Sequence, residues 1–149
     1  MSGRILSKDF DAIWSQQPIS RAIGWKEFIS WDAPTRTLRA LYEVRPEFCH
    51  TRGTIAQGGF VTSWLDSSMA HAVMRDSSFE HNIATLELKV SFMKAVSPGM
   101  VMTEARVVRR GQRVAFLEAR LLTADQSTLL ATASSTGLII PLVAEELGS

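Results

Sequence analysis

The spacing of hydrophobic positions changes twice along this chain, and each change predicts a different kind of element. Between Ser7 and Gln16, Phe10, Ile13 and Trp14 recur three to four residues apart, which predicts a short helix with Ser7 as its cap. Pro18 is expected to end it. The runs Trp25 to Trp31 and Leu38 to Val44 mix aromatic and branched residues with polar ones around Asp32-Ala33-Pro34-Thr35, a hairpin pattern. Pro46 to Ala56 reads as a loop. From Gln57 to about Met74 the spacing turns helical again, through Phe60, Val61, Trp64, Leu65, Met69, Val73 and Met74. This helix is apolar over much of its circumference, so it is expected to be buried.

Strict alternation follows. Between Thr85 and Met93 it predicts Leu86, Leu88, Val90 and Phe92 on one face and Thr85, Glu87, Lys89 and Ser91 on the other. Ser97-Pro98-Gly99 is a turn, and Met100 to Val108, Arg113 to Thr123 and Thr128 to Ile140 are three more strands. Arg110-Gly111-Gln112 and Ala124-Asp125-Gln126-Ser127 join them, and the last few residues form a polar tail. The order predicts an α+β fold in which an antiparallel six-stranded sheet wraps around one long central helix. Short turns between antiparallel strands need no crossover helices. One helix cannot cover every face and edge of such a sheet, so a partner subunit is expected.

Composition narrows the class. A chain of 149 residues suits a single domain over 1–149, with residues 1–17 as an N-terminal helical extension. A formal net charge of +1 argues against a dedicated nucleic-acid binder. The one cysteine, Cys49, excludes an intramolecular disulfide and any cysteine-rich metal site, and fits a reducing, cytoplasmic setting. Met1 to Gln17 lacks the apolar run of a signal peptide, and no stretch approaches the roughly 18 apolar residues of a membrane span. No metal or cofactor is expected, and no membrane partner.

The candidate chemistry sits where the loop enters the buried helix. Glycine in a helix costs roughly 1 kcal/mol relative to alanine, so Gly58-Gly59 needs a reason. At a helix start the backbone N–H groups have no internal partners and the dipole favours negative charge. Without a Cβ, a ligand can approach those donors. A carbonyl placed there would be stabilised as it gains charge, an effect of about 2.7–4 kcal/mol per donor. The competing reading is tight packing against a strand. Asp66 lies in an otherwise apolar segment, between Leu65 and Met69. A buried carboxylate must be paired, exposed at an interface, or functional as a base or nucleophile. Its competing reading is a polar stripe with Ser63, Ser67 and His71. Eight residues separate Asp66 from Gly58, about 12 Å along a helix. One scissile carbonyl cannot touch both in a single chain. Two helices running antiparallel across a dimer interface would remove that difficulty.

The stretch Gln57-Gly58-Gly59, followed by Leu65 and Asp66, resembles the motif of the hotdog-fold acyl-CoA thioesterases, in particular the phenylacetic-acid-degradation group. The runs from Ala84 to Met93 and from Ala131 to Gly137 also look like that family, and the resemblance covers roughly residues 24–141. It implies a hotdog fold and hydrolysis of an acyl-CoA-type thioester to a free acid and CoA, with the CoA moiety as part of the substrate and no separate cofactor. It further implies that Asp66 is base or nucleophile, that the Gly58 N–H polarises the carbonyl, and that Thr85 holds the water or the acid. Gln57 would position the loop or contact the acyl group beside Gly59. It implies a homodimer, or a dimer-of-dimers tetramer, with the active site at the subunit interface. One position departs from the pattern: where relatives carry asparagine this chain has Thr51, with His50 beside it.

Other candidates rank lower. Cys49-His50 points its side chains opposite ways in extended chain, and His71 and His81 match no zinc spacing. Lys89, Lys94, Arg106, Arg109, Arg110 and Arg113 could supply a phosphate patch, with surface solvation as the default. Trp14, Trp25, Trp31 and Trp64 read as packing residues, with Trp64 also a candidate border of the acyl pocket. The alternative function is a hotdog protein that binds acyl thioesters without turning them over. A dehydratase on this fold ranks last, because Gln57 stands at the motif's histidine position.

Overall fold

The computed structural model describes residues 7–142. Residues 1–6 of the expected extension and the polar tail from 143 onward lie outside them. Helix α1 spans Ser7–Gln16 and α2 spans Pro18–Ala22. Strands β1 (Trp25–Asp32) and β2 (Thr37–Val44) form the first hairpin. A 3-10 turn at Pro46–Phe48 leads to the short strands β3 (Cys49–His50) and β4 (Ile55–Ala56). The long helix α3 covers Gly58–Asp76, and β5 (His81–Phe92), β6 (Gly99–Arg110), β7 (Val114–Thr123) and β8 (Leu129–Pro141) complete the chain.

The main sheet has the order β1-β2-β6-β7-β8-β5 with every pair antiparallel, and it wraps one face around α3. This is the hotdog fold. Val61, Trp64, Leu65, Met69, Ala72 and Val73 of α3 are buried against inward-facing Leu38, Ala40, Ala105, Leu117 and Leu121 of the sheet. Full burial of such side chains stabilises by about 1.5–3 kcal/mol each. Ser68 is the polar exception in that contact. Its hydroxyl bonds Thr103 Oγ1 at 2.6 Å and Tyr42 Oη at 3.2 Å, so no buried hydroxyl is left unpaired there. At its C-terminal end, Asp76 accepts from Arg36 and Arg110 at 2.5–2.8 Å, which ties α3 to β6 and the β1–β2 turn. Among the described residues, no helix is long and apolar enough to cross a membrane.

Four local differences from the sequence expectation have physical causes. Pro18 does not simply stop α1; it starts α2, because the first helical position needs no N–H. The segment from Pro46 to Ala56 is a small hairpin rather than plain loop, with Thr51, Arg52 and Gly53 in left-handed conformation at its tip. His71, expected on a helix face, is buried beneath α1 among Phe10, Trp14 and Phe28. The largest difference is in β5. Thr85 pairs with Gly137 but Glu87 pairs with Thr136, so Leu86 is an extra residue, a β-bulge. The bulge resets the alternation. Thr85 and Leu88 oppose Gly137 and Ser135, both on the inward face of β8, whereas strict alternation had placed Thr85 opposite Leu88.

Candidate active site

Gln57 is extended (φ −66°, ψ 138°) and caps α3: its Oε1 accepts the Gly59 N–H at 2.6 Å, while its carbonyl takes the Phe60 N–H at 3.0 Å. A Cβ on Gly59 would lie 2.6 Å from that same Oε1, so the second glycine lets the Gln57 side chain cap in this position without shifting. The first glycine differs. Among the described residues no hydrogen bond leaves the Gly58 N–H, and Gly58 lines a cleft of about 340 Å3. A Cβ there would lie 3.3 Å from Phe92 Cζ, so the packing reading and the open-donor reading both hold at this position. The cap consumes one helix-start donor, and the neighbouring one, on a residue that lines the cleft, has no partner among the described residues.

Two turns along the helix, Asp66 is half-buried and accepts a 2.8 Å hydrogen bond from Thr85 Oγ1 at its Oδ1. Oδ2 has no partner among the described residues. The carboxylate is therefore fixed in orientation by one oxygen and free to meet water or a carbon centre with the other. The bulge at Leu86 makes this contact possible, because it turns Thr85 toward the helix. Between the two sites, Thr62 and Ser63 return their hydroxyls to the Gly58 and Gly59 carbonyls at 2.8 Å. Asp66 does not line the Gly58 cleft. The structure thus places donor and acid on one helix but in separate surroundings, as the 12 Å spacing requires.

The remaining candidates separate clearly. His50 lines the cleft with Gly58, its Nδ1 2.7 Å from Thr51 Oγ1. Thr51 stands at the hairpin tip with φ 53° and is exposed outside the cleft. Trp64 does not border the cleft. It is fully buried, and its indole N–H donates to the Ile23 carbonyl at 2.6 Å. Cys49 donates its thiol to the Arg45 carbonyl at 3.6 Å, and burial, with Glu47 adding, pushes the thiol pKa up. That is the wrong direction for a thiolate nucleophile. Of the six basic candidates, Arg106 pairs with Glu118 and Arg110 with Asp76, and Lys94 lines the cleft.

Sequence reasoning missed the cleft's own walls. Phe92 sits directly on Gly58, although it is 57% exposed, and Met93, Val96 and Leu130 line the same space. The one sequence signal was an apolar pair, Phe92-Met93, at the end of a strand next to a turn.

Residues 53–130 match the family model of the Thioesterase superfamily. Among solved structures, the chain is similar to a phenylacetic acid degradation-related protein of Ralstonia eutropha, with 24% identity, a TM-score of 0.74, and 87% of this chain and 97% of that one covered. It is similar to the PaaI protein of the E. coli phenylacetic acid degradation operon, with 16% identity, a TM-score of 0.76, and 91% and 94% covered. A thioesterase of Haemophilus influenzae shares 13% identity at a TM-score of 0.78, with 95% and 94% covered. These likenesses carry the fold. No curated protein sequence matches the chain.

Proposed function

This chain belongs to the Thioesterase superfamily, and we propose that it hydrolyses an acyl-CoA-type thioester to a free acid and CoA, with Asp66 as base or nucleophile and the Gly58 N–H as the donor to the carbonyl. One observation carries this reading: α3 holds both an oriented carboxylate and a helix-start amide, and among the described residues neither the second carboxylate oxygen nor that N–H has a partner. As base, Asp66 would take a proton from water as the water attacks the thioester carbon. As nucleophile, its oxygen would attack, the C–S bond would break to release CoA, and water would then open the anhydride so formed. In either route negative charge builds on the carbonyl oxygen, and a fixed N–H at that point is worth about 2.7–4 kcal/mol in the transition state. Collapse of the first tetrahedral intermediate breaks the C–S bond in both routes, and CoA leaves as the thiolate.

The two groups act on one carbonyl only if they come from different copies of the chain. Strand β5 is a free edge of the sheet and carries exposed Leu86 and Phe92 along its length. An exposed apolar edge of this kind calls for cover. A second copy running antiparallel would supply it and bring one α3 beside the other. The assembly we infer is a homodimer or a dimer of dimers, acting in the cytoplasm, in keeping with a lone cysteine.

A second reading, thioester binding without turnover, is favoured by the missing asparagine amide: His50 is in the cleft, and Thr51 is not. A thiol-release assay over short, aromatic and long acyl-CoAs separates the two. The expected result is hydrolysis of at least one class, with Asp66→Ala lowering kcat by a factor on the order of 100 or more while thermal unfolding stays cooperative. Equal rates for Asp66→Ala and wild type would remove Asp66 from the reaction. Tight binding with no hydrolysis of any class would establish the second reading.

A further inference from the structure

A thioester has two arms of opposite character, and the Gly58 cleft suits only one of them. The cleft walls are Ile55, Val61, Phe92, Met93, Val96 and Leu130, with alanines at 56, 95 and 131. Val61, Val96 and Leu130 are buried and close it on the core side. Its two polar lining side chains, His50 and Lys94, are both exposed. A pantetheine arm carries two amides, and the apolar walls offer them no partners in place of water; only the exposed His50 and Lys94 side chains could do so. An apolar acyl arm has no such penalty and gains from every methylene it buries, about 0.8 kcal/mol each in water-to-apolar transfer. The volume, about 340 Å3, lies at the small end of the range for ligand pockets. Phe92 has its ring against Gly58, with Cζ 3.3 Å from where a Cβ would stand.

We propose that this cleft is the acyl subsite, that it takes a compact apolar acyl group, and that Phe92 is the wall nearest the thioester carbonyl. The proposal rests on the thioester reading above. It assigns selectivity to residues remote from Asp66, so the two ideas fail separately. Ala95 is exposed, so a larger side chain there narrows the cleft without entering the core. Ile55 is half-buried in the hairpin, and shortening it widens the cleft.

The experiment measures thiol release from acetyl-, hexanoyl- and decanoyl-CoA, together with calorimetric binding of hexanoyl-CoA against CoA, for wild type, Ala95→Leu and Ile55→Ala. Wild type is expected to favour hexanoyl-CoA over both other substrates. A group of methylene size misfitted in an apolar pocket changes selectivity by roughly 10- to 200-fold. Ala95→Leu should therefore lower the hexanoyl-to-acetyl ratio of kcat/KM by about tenfold or more, and Ile55→Ala should raise the decanoyl-to-hexanoyl ratio. If hydrolysis proceeds but both variants keep the wild-type chain-length profile, the acyl subsite lies elsewhere and the thioesterase reading stands. If no acyl-CoA is hydrolysed, the catalytic reading fails and calorimetry decides the cleft. Tighter binding of hexanoyl-CoA than CoA, lost in Ala95→Leu, supports it; equal binding of the two overturns it.

Discussion

Gly58 is the residue at which packing and chemistry meet, and proline tests them apart. Proline at the first helical position removes the N–H without disturbing the helix, and it asks the preceding residue to be extended, as Gln57 already is. The new side chain would meet only the far end of the Phe92 ring, 3.3 Å from its Cζ, a contact that a small turn of the ring relieves. Gly58→Pro is expected to fold and to lose about 100- to 1,000-fold in kcat, read from steady-state kinetics beside a thermal melt. His71 makes a different prediction. Its Nδ1 bonds the Ser67 carbonyl at 2.7 Å, so Nδ1 carries the proton, and burial among Phe10, Trp14 and Phe28 pushes its pKa down to about 4; the bond to Ser67 opposes the fall and Arg75 adds to it. The unfolded chain takes up this proton near pH 6.5 and the folded chain only near 4. Stability should hold above pH 7 and fall as pH drops through that window, by something on the order of 3 kcal/mol in all. Urea titrations at pH 7 and pH 4.5 should show a smaller loss in His71→Phe than in wild type, since the carboxylates are common to both.

At the scale of elements, the pairing of β5 with β8 is the contact on which the acid's position depends. Gly137 opposes Thr85 in that ladder, and a Cβ at 137 would lie 2.8 Å from Ile83 Cδ1 and 2.9 Å from Ile83 Cβ. Ile83 is buried, and its Cβ cannot move without the backbone, so the contact cannot be relieved by a rotamer change alone. Gly137→Ala should therefore overpack the sheet next to the bulge and destabilise by about 1–3 kcal/mol in denaturant unfolding. The bulge also shows where local pattern stops being sufficient. Thr85 through Phe92 alternate without fault, so the residues alone place Thr85 with Glu87 and Lys89. Only the β8 partner reveals that Leu86 is the extra residue and that Thr85 turns inward to Asp66. Helix α3 was the reverse case. Its apolar spacing over four turns was strong enough to mark it as buried, and its observed bounds extend the expected ones by two residues at the C-terminal end.

For the whole molecule, the separation of Asp66 from Gly58 along α3 turns oligomerisation into a catalytic question. Asp66→Asn and Gly58→Pro each disable a different half of a shared site. If the site spans two copies, a mixed dimer rebuilds one intact site from the acid of one chain and the amide of the other. Random mixing should restore roughly a quarter of wild-type activity, because half the dimers are mixed and each has one working site of two. Activity no higher than that of the separate variants, in dimers shown to have exchanged, would place the two groups in independent sites.

The residues alone were enough to set out α1, the six strands of the main sheet and the long buried helix in their order, though not α2 or the β3–β4 hairpin. Periodicity is a local property: it says which side of an element is apolar, and so which elements must share a core. They also pointed to the two glycines and Asp66, because glycine at a helix start and a carboxylate among apolar neighbours are locally costly choices; Gln57 came only from the resemblance to a family motif. Tertiary contact decided the rest. The bulge that turns Thr85, the ring of Phe92 on Gly58, the choice of His50 over Thr51 at the cleft and the burial of His71 under α1 each depend on a partner distant in sequence. Register and packing are settled between elements, and no spacing within one element encodes them.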